Sequence, residues 1–66
     1  MAEPTPPILR FFAYQHLPAH LQAVSKPFHD LAHALVGTTD AGEEQSEGLR
    51  KLLESKDCFV RAALDT

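Results

Sequence analysis

The chain has one cysteine, Cys58, in 66 residues. An intrachain disulfide is therefore excluded, and there is no cysteine framework for a structural zinc. Cations are also scarce: six lysines and arginines stand against nine acids, for a formal charge of −3. Duplex DNA and anionic membranes both demand a basic footprint, so neither suits this chain as its main partner. A small anionic ligand needs only a local cluster of donors and stays open. No apolar run approaches the ~20 residues that span a bilayer. The start, MAEPTPPI, carries an acid and prolines where a secretory signal would carry a basic and then an apolar region. No glycine-rich phosphate loop, nucleophile elbow, HExxH motif or paired carboxylate site is present, so the chain reads as a non-enzyme without a cofactor. The chain is expected to be soluble and intracellular.

Size adds a constraint. A chain this short buries only roughly 60% of the surface its unfolded form exposes. Disulfides, a metal or self-association are the usual remedies, and only the last fits this composition.

What is present concentrates in residues 11–36, FFAYQHLPAHLQAVSKPFHDLAHALV, which hold four of the five aromatic residues and all four histidines. Leu21, Val24, Phe28, Leu31 and Leu35 recur at steps of three and four, which predicts one apolar seam on an α-helix. Pro18 suits the start of that helix, and Gly37 is the expected left-handed stop. Pro27 predicts a kink; alternatively, Ser25 caps a restarted helix. Residues 37–45, GTTDAGEEQ, read as a loop. A second helix is expected from near Ser46 to about Leu64, with Leu49, Leu52, Leu53, Phe59, Val60 and Ala63 on its apolar face. Arg50–Glu54 and Asp57–Arg61 have the i,i+4 spacing of flanking ion pairs. Residues 1–7, with three prolines in four residues, read as a flexible leader to a single domain at 8–66. Residues 8–16 are a short helix or an irregular segment packed on the hairpin. The fold class is thus all-α, an antiparallel helical hairpin with a short N-terminal segment.

Several residues invite a chemical reading. Lys56 falls inside the second apolar stripe. Its stem covers apolar surface with its charge reaching solvent at an oligomer edge, or it meets a buried carboxylate or an anionic ligand. Cys58, beside the same stripe, reads as a small buried thiol. His16–His20 and His29–His33 are each four apart, a spacing that suits a transition metal, but the ligand set is incomplete and no native metal is expected. Tyr14 offers a face for a nucleobase, and Lys26 and His29 are polar groups near the middle of the first helix. Its simpler reading is a core-edge tyrosine with the hydroxyl in water.

The helix opening YQHLP, followed after the loop by QSEGLRKLLESKDCFVRAAL, resembles the short hairpin domain of phage anti-CBASS sponge proteins, shared with phage anti-Thoeris sponges. The resemblance spans residues 12–64. It implies a homo-oligomer, typically a hexamer, in the host cytoplasm. Such proteins are not enzymes. They hold cyclic oligonucleotide second messengers, such as cyclic GMP-AMP, between protomers and release them intact, so CBASS effectors stay off. The family tyrosine that stacks on a base matches Tyr14. The family's mid-helix lysine falls on His29, a departure, and Lys26 one turn earlier is a substitute cation. Arg50 is the residue implied for a second site, which takes cyclic trinucleotides. The competing reading is a small helical protein-interaction or regulatory module.

Overall fold

A computed structural model describes residues 6–64. It is all-helical over these residues: a 3-10 helix at Pro7–Phe12, then α1 at Ala19–Thr38 and α2 at Glu43–Leu64. The two long helices pack against each other, and the 3-10 helix packs on both. The expected hairpin is present. Most of the predicted leader lies outside the described residues, and Pro7 opens the 3-10 helix.

The 3-10 helix follows from its sequence. Pro7 lacks an N–H that the first turn would not use, and Leu9 N–H donates to the Pro6 carbonyl at 3.1 Å. In a 3-10 helix, residues three apart eclipse one another. Leu9 and Phe12 therefore line up on one edge and both are buried, whereas Phe11 stays 52% exposed. Phe12 is fully buried and joins Leu9, Ala32 and Leu49 in the core. Phe28, Val36, Leu52 and Leu53 close around that cluster.

This third element changes the seam of α1. Leu21, Ser25 and Ala32 are buried, with Phe28 and Val36 half-buried, while Leu31 and Leu35 are 47% and 41% exposed. The buried line runs 21, 25, 28, 32, 36, rotated from the expected 21, 24, 28, 31, 35. The physical reason is volume. Leu9 and Phe12 need room beside α1, and Ser25 and Ala32 are the small residues on its surface that provide it. Ser25 accordingly does not cap a second helix. α1 runs through Pro27 without a break, and Ser25 Oγ is buried without a hydrogen-bond partner.

The expected stop at Gly37 is also corrected, since Gly37 lies inside α1. Hydroxyls end the helix instead. Thr38 Oγ1 donates to the Ala34 carbonyl at 3.1 Å and Thr39 Oγ1 to that of Leu35 at 2.7 Å. Gln45 Nε2 donates across the loop to Thr39 Oγ1 at 2.9 Å. These bonds satisfy carbonyls that a helix end leaves unpaired. α2 begins at Glu43, three residues before the expected Ser46, with two glutamates in its first turn where the helix dipole favours them.

Lys56 is buried, and neither expected arrangement describes it. Its ammonium donates to the Phe11 carbonyl at 2.5 Å, a link between residues 45 apart in sequence. Cys58 is exposed, which corrects the expectation of a buried thiol. Phe59 is 58% exposed and leans on Phe28 with ring centroids 5.8 Å apart. The flanking ion pairs also differ: Arg50 pairs with Glu47 rather than Glu54, and Arg61 donates to Cys58 Sγ at 3.3 Å.

Phe12→Ala is expected to destabilise the fold by about 3–5 kcal/mol, a large share of what so small a domain has. Phe11→Ala, on the exposed edge of the same turn, should cost less than about 1 kcal/mol. Urea unfolding at fixed protein concentration, followed by circular dichroism, measures both.

Candidate functional site

Tyr14 follows the 3-10 helix after one residue, Ala13, and stands at the head of a tight turn. Leu17 N–H donates to its carbonyl at 3.0 Å. Gln22, from the first turn of α1, donates its side-chain amide to the Leu17 carbonyl at 2.8 Å. The turn is thus tied to α1 at one end and, through Phe12, to the core at the other.

Lys26, His29, Asp30 and His33 follow a helical i, i+3, i+4, i+7 spacing and share one face of α1. Tyr14 meets that face. Its ring and that of His29 form a T-shaped pair, with centroids 5.0 Å apart and planes at 70°. Lys26 Nζ lies 5.9 Å from the Tyr14 ring centroid. His33 lies beyond His29, with their ring centroids 4.3 Å apart. The three residues expected to form a site, Tyr14, Lys26 and His29, are therefore neighbours within one chain.

Asp30 is the member that sequence reasoning missed. It accepts from Lys26 Nζ at 2.6 Å and from His29 Nδ1 at 3.1 Å. Only the first bond was legible, as an i,i+4 spacing. A carboxylate can only accept, so the His29 contact assigns the proton to Nδ1 and leaves Nε2 as the nitrogen that Asp30 does not use. The hydrogen bond from Lys26 and then that from His29 hold the Asp30 carboxyl below its ordinary range, and Asp30 in turn raises Lys26. Both side chains of the lysine pair are about half exposed, at 54% and 52%, so water screens the pair and it adds little to stability. Its effect is local: the lysine charge expected to serve a ligand is already engaged.

Arg50 is not part of this cluster. It donates to both carboxylate oxygens of Glu47, which Lys51 also meets at 3.1 Å. The cleft beside it, about 780 Å³, is lined by Glu43, Glu44 and Glu47 as well as Ile8 and Ser46. An anion there would have to displace Glu47 and face two further carboxylates.

A different cleft, of about 410 Å³, opens between the 3-10 helix and α1, where Leu9, Arg10 and Ala13 face His29 and His33. A third, of about 640 Å³, is an apolar groove between the end of α1 and the start of α2, with Leu35, Leu49, Leu52 and Gly48 among its walls. His16 and His20 are both exposed. Among the described residues, no three histidine, cysteine, aspartate or glutamate side chains are grouped to hold a metal, and no helix is long and apolar enough to cross a membrane.

No protein-family model, curated protein or solved structure matches the chain.

The Asp30 contacts give a testable sign. A carboxyl whose folded-state pKa is lowered supports the fold above its unfolded value, near pH 4, and that support is lost as pH falls through the lowered value. Lys26→Met removes the larger cause, so Asp30 should titrate at a higher pH in the variant than in the parent. Side-chain carboxyl NMR against pH measures this. An unchanged midpoint would mean the pair does not form in solution.

Proposed function

We propose that the chain is a non-catalytic binder of cyclic dinucleotides such as cyclic GMP-AMP. On this reading it is a phage-type sponge, acting in the host cytoplasm, that removes CBASS second messengers without degrading them. The observation that carries the reading is the meeting of Tyr14, His29 and Lys26. A half-buried aromatic ring of the kind that stacks on bases stands within 6 Å of a histidine and a lysine, and the histidine keeps one ring nitrogen that Asp30 does not use.

Self-association belongs to the same reading. Leu31, Leu35 and Phe59 are each more than two-fifths exposed, and the apolar groove beside Leu35 lies between the two helices. Apolar side chains this exposed, beside an apolar groove, offer a surface that a partner can cover. A second copy of the chain, and by resemblance a hexamer, would cover it and place ligands between protomers. That same groove supports the second reading, a helical interaction module, in which a foreign helix takes the place of the copy. Arg50 keeps a role only in the finer proposal of a cyclic trinucleotide site, which must compete with Glu47.

Light scattering of the pure protein is expected to give a mass well above that of one chain. A monodisperse folded monomer at micromolar concentration would turn the assignment towards the interaction module.

Calorimetry against a panel of cyclic di- and trinucleotides tests the ligand. Tyr14→Ala should weaken cyclic dinucleotide binding roughly five- to 150-fold, the equivalent of about 1–3 kcal/mol for one lost base stack. His29→Lys should bind at least as tightly as the parent and with steeper salt dependence. Bound ligand should be recovered unchanged after denaturation. If the parent binds no cyclic nucleotide, the sponge reading fails.

A further inference from the structure

Resting on that reading, the geometry points to the cleft between the 3-10 helix and α1 as the seat of the ligand's phosphates, with Arg10 and His33 as contacts beside His29. The Lys26 side of Tyr14 is poorly suited to this task. A cyclic dinucleotide carries two negative charges, and on that side it meets Asp30, whose carboxylate already accepts from Lys26 at 2.6 Å and from His29 at 3.1 Å. A phosphate there must break a charge-assisted pair and then sit beside the freed carboxylate.

The other side of His29 has the opposite character. Among the described residues no carboxylate lines that cleft, whose nitrogen-bearing side chains are Arg10, His29 and His33. Arg10 takes part in none of the ion pairs among the described residues. Its guanidinium carbon lies 4.9 Å from the Phe11 ring centroid. Stacking on a ring occupies a guanidinium's face and leaves its N–H edge for a planar or tetrahedral anion. His29 contributes Nε2, the nitrogen that Asp30 does not use, which donates to a phosphate oxygen when the ring is the imidazolium form. His33 stands 4.3 Å further along, and its ring nitrogens have no hydrogen bond among the described residues. The cleft, at about 410 Å³, falls within the ~300–1,000 Å³ of small-molecule sites. Tyr14 meets His29 at 5.0 Å, so a base stacked on Tyr14 and a phosphate in this cleft would lie on adjoining surfaces.

The four histidines supply the test. Their ring C–H signals are followed by NMR while the full-length protein is titrated first with inorganic pyrophosphate and then with a cyclic dinucleotide. Signals of His29 and His33 should move with both probes, and those of His16 and His20 should stay. Arg10→Gln should weaken both probes about tenfold, as expected for loss of a charge-assisted contact. Lys51→Gln, which removes the same charge elsewhere on the surface, should change neither by more than about twofold. If a cyclic dinucleotide binds in a Tyr14-dependent way but Arg10→Gln binds as tightly as the parent, the phosphate seat is wrong and the sponge reading stands. If no cyclic dinucleotide binds yet pyrophosphate moves His29 and His33 through Arg10, the anion cleft stands and the sponge reading falls. Equal movement of all four histidines, or none, overturns the cleft.

Discussion

The bond from Lys56 to the Phe11 carbonyl holds the third element of this fold in place. A 3-10 helix of six residues has little stability of its own, because few bonds offset the entropy of ordering it. It persists here because Leu9 and Phe12 enter the core on one edge and Lys56 reaches from α2 to a carbonyl at its end. Removing water from an ammonium is costly, so a lysine this buried demands a partner. The backbone supplies it. Tyr14 lies three residues beyond that carbonyl, so the position of the candidate base-stacking ring depends on a residue of the other helix.

The site's electrostatics follow from one acid. Asp30 neutralises Lys26 and orients His29, so the face of α1 nearest Tyr14 is close to balanced in charge. Arg10, which makes no ion pair among the described residues, lies instead beyond His29, where with His33 it borders a cleft that no described acid lines. A chain of net negative charge can present such a local group of donors without a basic surface.

Local patterning made the two long helices legible, and periodicity with the helix punctuation located them within a few residues. The rotation of the α1 seam was not legible, because it depends on the volume of Leu9 and Phe12, which come from outside the helix. The end of α1 was misplaced for a different reason. Glycine is the usual stop, but Thr38 and Thr39 satisfy the last carbonyls through their hydroxyls, and Gly37 stays helical. For the site, Tyr14, Lys26 and His29 could be named from residue type and spacing. The hub role of Asp30 could not, since its contact with His29 joins sequence neighbours through side-chain conformation alone. Arg10 was invisible for want of a known direction on an element whose type was left open.

The span of the Lys56 link has a consequence for the order in which the protein becomes competent. Hairpin contacts between adjacent helices form early, because short loops cost little entropy to close. The link from Lys56 to Phe11 joins residues 45 apart. On a ribosome, Tyr14 and both site histidines are synthesised well before Lys56 leaves the exit tunnel. The surface around Tyr14 is therefore clasped only after Lys56 has left the tunnel. A nascent or truncated chain would carry every residue of the site and still lack the clasp that assembles it.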